Sequence, residues 1–187
     1  VDLTNVFRSD DRRLQIRTTA EIYWDQAFFT IDDPEAEYLV TPLNLSSADL
    51  RYRGFSAMTP DPEYGPETYD YASVDISAHW PPMQGQFTKY GNVIELLEAE
   101  DDRLVIMGSG DELSVRFAIP QLPVRPGWKR DFLMHNIGWD KDADLNTVYG
   151  QTVEPLPFGK MSGYPYRWDE EFPATQRHED YLKTYQI

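Results

Sequence analysis

The stretch Leu104-Val105-Ile106-Met107-Gly108-Ser109-Gly110-Asp111-Glu112-Leu113-Ser114-Val115-Arg116-Phe117-Ala118-Ile119 decides how this chain reads. It opens with four apolar residues. Gly108-Ser109-Gly110-Asp111 then supplies a turn cluster. Beyond it Leu113, Val115, Phe117 and Ile119 alternate with Glu112, Ser114, Arg116 and Ala118. Successive side chains of a strand point to opposite faces, so this alternation marks a strand with one inward side. Two such runs around a glycine-rich turn predict a β-hairpin over 103–119.

Outward from the hairpin the same signals recur. Leu14, Ile16 and Thr18 alternate with Gln15 and Arg17, and the aromatic run 21–29 follows; together they predict two strands over 13–31. Tyr38–Thr41, Ala48–Arg53 and Asp131–Ile137 are further predicted strands. Fourteen Pro and 11 Gly punctuate the chain, and strands do not alternate with helices. The expected fold is therefore all-β, an antiparallel, jelly-roll-like β-sandwich formed by residues 1–187 as a single module. Residues 56–85 hold Pro60, Pro62, Pro66, Pro81 and Pro82 with little periodicity, and read as a long irregular central loop. Residues 155–187 read as an extended tail that wraps the core. A short terminal helix is expected over 178–185, with Thr175 as its cap.

Composition narrows the function classes. The formal net charge is -15, from 17 basic and 32 acidic residues. That field repels phosphate backbones and anionic lipid, so nucleic acid is an unsuitable partner. The absence of Cys excludes disulfides, thiolate metal sites and Cys nucleophiles. No apolar run approaches the roughly 18 residues of a membrane span. The first residues, Val1-Asp2-Leu3-Thr4, lack an initiator Met, as expected of a processed chain or a piece of a longer one. Aromatic residues make up 14% of the chain, which argues for order through most of its length.

Several segments carry a family likeness. Tyr23-Trp24-Asp25-Gln26 follows a strand ending Arg17-Thr18-Thr19. Later come Ala48-Asp49-Leu50-Arg51-Tyr52-Arg53-Gly54-Phe55-Ser56, Tyr90-Gly91-Asn92-Val93 and Asp101-Asp102-Arg103-Leu104-Val105-Ile106-Met107. The last two are Gly138-Trp139-Asp140-Lys141-Asp142-Ala143-Asp144-Leu145-Asn146-Thr147 and Thr152-Val153-Glu154-Pro155-Leu156-Pro157-Phe158. In this order they resemble the C-terminal module of bacterial exported FG-GAP-repeat, cartilage-acidic-protein-like (ASPIC/UnbV) proteins and related tetratricopeptide-repeat proteins. The resemblance implies a module placed behind a larger repeat domain in a secreted or periplasmic protein. It brings no catalytic set to carry over.

Candidate sites are few. Asp140, Asp142, Asp144 and Asn146 form D-x-D-x-D-x-N, whose alternate oxygens suit a hard cation such as Ca²⁺. An EF-hand loop would continue with Gly at position six and Glu at position twelve, where this chain has Leu145 and Gln151. The simpler reading is a solvated acidic turn. His79, His135 and His178 lie far apart in sequence, and no C-x-x-C-H motif supports a haem on His135 with Met107 or Met134. G-x-S-x-G, H-E-x-x-H and P-loop motifs are absent, so a hydrolase is the weakest reading. Tyr64, Tyr69, Tyr71 and Trp80 cluster in one irregular region, and Tyr164, Tyr166 and Trp168 in another. Rigid aromatic side chains among Pro and Gly suit a partner surface or a sugar platform. They serve equally to pin coil onto a core. The sequence thus points to a non-catalytic, extracytoplasmic structural or interaction module, such as an extrinsic subunit of a larger membrane-associated assembly. The alternative is a carbohydrate- or Ca²⁺-dependent ligand-binding module. No cofactor is expected, Ca²⁺ apart.

Overall fold

A computed structural model describes the chain except for residues 1–2, 4–5, 8, 18–25, 30–36, 64–66, 78–81, 122, 142, 144–145 and 147. Its regular elements are mostly strands. They are β1 (Asn44–Tyr52), β2 (Phe55–Thr59), β3 (Thr68–Asp75), β4 (Gly91–Asn92) and β5 (Asp111–Ala118), with one helix, α1 (Gln176–Tyr185). They make two small antiparallel sheets, β4-β1-β5 and β2-β3.

The core grows from β1. Ala48 and Leu50 alternate with Asp49 and Arg51, so the two apolar residues share the inward face. Their register partners on β5 are Val115 and Leu113. Leu45 joins the same face although it lies three residues before Ala48, because the register shifts between Leu45 and Ser47. Val93, Leu96 of the 3₁₀ turn Ile94–Leu96 that follows it, and Tyr181 of α1 complete the buried cluster. Around it pack Ile94, Val105, Leu113, Val115, Leu182 and Tyr185.

Helix α1 forms where the terminal helix is expected, beginning two residues earlier. Glu179 in its first turn and Lys183 in its last suit the helix dipole. Thr175 holds the cap position, but its hydroxyl meets His178 Nδ1 at 2.8 Å rather than a backbone amide. Past the helix the chain turns back along residues 87–89. Phe87 N–H donates to Ile187 O at 3.0 Å, Ile187 N–H to Phe87 O at 2.9 Å, and Lys89 N–H to Tyr185 O at 2.6 Å. The tail before α1 lies across earlier segments without regular structure. Val153 N–H donates to Gln84 O at 2.8 Å, Gly159 N–H donates to Asp102 Oδ1 at 2.7 Å, and Val153 and Leu156 are buried.

Several expectations are corrected. The turn Gly108–Asp111 forms, with Asp111 N–H on Gly108 O at 3.1 Å and Gly108 N–H on Asp111 Oδ2 at 2.8 Å. Yet Leu104–Met107 is no strand, and β5 pairs with β1 instead. The backbone of that run is bonded elsewhere. Thr88 N–H donates to Ile106 O, Ile106 N–H donates to Thr88 Oγ1, and the Tyr181 hydroxyl takes Leu104 O. The central loop is corrected in part, because residues 56–59 and Thr68–Asp75 pair as the β2–β3 hairpin. All of Thr68–Asp75 is exposed, so both of its faces are polar or mixed and no inward pattern shows. Residues 13–17, 38–41 and 131–137 form no strand and are exposed. Among the described residues no strand pairs with these runs, and without a partner a period-2 pattern fixes nothing. Of the run 21–29, residues 21–25 lie outside the described residues; 26–29 form no strand, and Phe28 is 79% exposed.

The two sheets meet at one junction. Arg53 N–H and Gly54 N–H both donate to Gly110 O at 2.9 Å, and the Tyr52 hydroxyl donates to Ile76 O at 2.8 Å. Gly54 has φ +99°, and a Cβ there would sit 2.5 Å from the Asp75 carbonyl oxygen. Only glycine fits that turn without strain. Among the described residues no strand of one sheet packs against a strand of the other, so face-to-face sandwich packing is not seen. No helix among the described residues is long and apolar enough to cross a membrane.

Candidate interaction surfaces

The tail aromatics form a connected series. Trp139 lies 5.3 Å from Tyr164, and Tyr164 lies 6.4 Å from Tyr166. Phe158 follows at 5.1 Å from Tyr166, then Phe172 at 6.4 Å from Phe158, and finally His178 on α1 at 5.7 Å from Phe172. Most of these contacts are edge-to-face, the arrangement that ring quadrupoles favour. Tyr164 and Tyr166 are half-buried in this series, so they fasten coil to helix. Trp168 is 93% exposed.

Lys141 anchors the other end. Its Nζ donates to Val153 O at 2.7 Å and Thr152 O at 2.9 Å, reaches Pro155 O at 3.4 Å, and lies 4.8 Å from the Tyr164 ring centroid. Burial pushes its pKa below the usual lysine value, while the Glu154 carboxylate opposes that shift. The Tyr164 hydroxyl donates to Pro155 O at 2.9 Å, closing the cluster. Of the acidic quartet, Asp140 and Asn146 are exposed, while Asp142 and Asp144 lie outside the described residues. Among the described residues no group of three or more His, Asp or Glu side chains is set to hold a metal. His135 and Met134 are exposed coil, whereas His178 Nε2 meets Asp101 O at 3.0 Å. His79 lies outside the described residues.

Tyr69 and Tyr71 sit two apart on β3, with rings 6.5 Å apart, and Met58 is the register partner of Tyr69. Between Asp70 and Val74 the register skips, and Asp70 ties the bulge by accepting from Ala72 N–H and the Ser73 hydroxyl. Arg53 donates to Tyr71 O at 2.6 Å from the opposite strand's approach. Tyr71 is 75% exposed. Tyr64 and Trp80 lie outside the described residues.

Sequence reasoning missed one charged cluster. Asp101 Oδ2 accepts from Arg103 Nε at 2.8 Å and lies 3.0 Å from an Arg177 amino nitrogen, and Arg103 also donates to Glu95 O. Arg103 and Arg177, with Glu95, Asp180 and Tyr185, line a cleft of about 410 Å³ beside α1. Asp101 and Arg177 are distant in sequence, so no local motif signals their meeting. The cluster locks the helix to the 95–103 segment.

Two tyrosines give this architecture a titration signature. The Tyr90 hydroxyl donates to Asp111 Oδ1 at 2.7 Å. That bond, with burial behind it, pushes the phenol from 10.0 up to about 12. Burial foremost takes Tyr164 to about 12 as well, with Tyr166, Tyr149 and Glu154 adding to it. Both shifts are upward, so the fold retains these protons. The stability they contribute is complete below pH 10.0 and is lost as the pH climbs through about 12. Alkaline titration by ultraviolet absorbance is expected to show a late phenolate fraction, which Tyr90→Phe and Tyr164→Phe each reduce. One transition near the ordinary tyrosine value for all twelve would contradict this assignment.

The chain matches no protein-family model, no curated protein and no solved structure.

Proposed function

We propose that this chain is a non-catalytic, extracytoplasmic structural and interaction module, whose exposed apolar segments are covered by a protein partner in a larger assembly. One observation carries the reading. Among the described residues, large apolar side chains stand in solvent along irregular coil, Phe28 at 79% and Ile76 at 75% exposure among them. Leu133 is 99% exposed, and Ile137, Phe132, Tyr38 and Val40 are exposed beside it or on neighbouring coil. Apolar surface on this scale is what a subunit leaves for its neighbours. The sequence likeness to exported C-terminal modules supports the same reading and an extracytoplasmic location. The jelly-roll-like sandwich belongs with this proposal: further strands, supplied on assembly, would close the two small sheets face to face.

Limited proteolysis tests it. In the purified chain residues 131–140 and the exposed strand β3 (Thr68–Asp75) are expected to be cut rapidly. In the native isolate, with its neighbours retained, both are expected to be protected. Equal cutting in the two preparations overturns the proposal. A carbohydrate- or Ca²⁺-dependent module is the second reading, favoured by the exposed pair Tyr69 and Tyr71 and by exposed Asp140. Calorimetry that finds neither sugar nor Ca²⁺ binding removes it.

A further inference from the structure

We propose that the cleft between residues 39–43 and 119–132 docks an extended acidic segment of a partner protein, one that alternates carboxylates with apolar side chains. The inference rests on the interaction-module reading and names the partner's chemistry at one surface. The chain carries a net charge of -15, yet Val124–Phe132 holds three cations, Arg125, Lys129 and Arg130, against one anion, Asp131. This local reversal is set beside an apolar cleft of about 200 Å³, lined by Leu39, Leu43, Pro123, Trp128 and Phe132 among others. A turn at Pro126-Gly127 brings the two chemistries together: Trp128 N–H donates to Arg125 O at 3.0 Å, and the Arg125 guanidinium lies 5.0 Å from the Trp128 ring centroid. Arg125 already draws a carboxylate, Glu37, but only to 3.8 Å, with both side chains largely exposed. Lys129 meets Asp131 as loosely, at 3.7 Å. Contacts of that length exchange readily for a better-placed carboxylate. Val124, Ile119 and Phe132 remain exposed around the cleft, ready for alternate apolar side chains.

Charge complementarity selects the occupant. A long polyanion, nucleic acid or an anionic membrane, would meet the field of the whole chain and be repelled. A short acidic peptide feels mainly charges within a Debye length, about 8 Å at physiological salt. A second copy of this chain would bring the same net charge with it.

The test uses the full chain and a fluorescent synthetic decapeptide alternating glutamate with leucine and tyrosine. Anisotropy is expected to rise on binding and to fall with added salt. Affinity is expected to drop at least tenfold in Arg125→Glu/Lys129→Glu and in Trp128→Ala, and to be retained in Arg125→Lys. These side chains lie outside the buried core, and unchanged circular dichroism will show that the variants fold. The inference is overturned if a lysine-for-glutamate peptide binds as well, or if the double charge reversal leaves binding unchanged. It is also overturned if the reversal abolishes vesicle binding or self-association instead. Protection in the native isolate without peptide binding sinks this docking site and leaves the interaction reading standing. Peptide binding without protection does the opposite.

Discussion

Leu50→Ala is expected to unfold most of the chain near room temperature in mild urea. Leu50 is 0% exposed and lies between Gly91 on β4 and Leu113 on β5. Truncating a buried leucine costs about 3 kcal/mol, from lost transfer energy and the cavity left behind. Among the described residues few share that load: the buried hydrophobic ones are Ala48, Leu50, Val93, Leu96 and Tyr181, with Val153 and Leu156 in or beside the tail. A domain that buries so little should sit at the low end of the usual stability range, about 5 kcal/mol. Equilibrium unfolding followed by circular dichroism measures the loss. Leu97→Ala, at an exposed position next to the same 3₁₀ turn, should stay within about 0.5 kcal/mol of the parent. A Leu50→Ala midpoint indistinguishable from that of Leu97→Ala would show that β1 is not the centre of the core.

The centre of that core was legible because its residues obey local rules. Ala48 and Leu50 alternate with charged neighbours, and so do Leu113 and Val115. Gln176–Tyr185 carries acid early, a lysine late and apolar side chains on one side. Pairing was not legible. The apolar run before the Gly108 turn resembles a strand, but Thr88 and Tyr181 bond its backbone first, and those partners are remote in sequence. The β2–β3 hairpin was hidden for the opposite reason: with every residue of β3 in solvent, that strand has no hydrophobic period to read. Tyr164 and Tyr166 were singled out for a partner and are half-buried in the tail's own ring series. Lys141 stands between Asp140 and Asp142 in sequence, and no sequence signal shows that three carbonyls gather around it.

Lys141→Met is therefore the second decisive variant. The methionine keeps most of the stem's packing and removes the ammonium. Thr152 O and Val153 O then lose their short bonds, Pro155 O its longer one, and the Tyr164 ring loses the cation above it. A hydrogen bond to a charged group contributes more than a neutral one, and a part-buried carbonyl left unpaired adds its own cost. Because the cluster is only partly buried, water can recover some of this, and the net loss is set at about 2 kcal/mol. That loss should appear locally rather than across the core, since Lys141 touches the tail and not Leu50. Hydrogen exchange at the Val153 amide, bonded to Gln84 O, is the readout, with roughly thirtyfold faster exchange expected. The amides of β5 should be unaffected, and the late titration of Tyr164 should move back toward the ordinary tyrosine value as the cluster opens to water. Lys160→Met, at an exposed lysine of the same tail, controls for loss of charge. If Val153 exchanges no faster in Lys141→Met than in Lys160→Met, the lysine is a bystander, and the ring series alone holds residues 139–172 in place.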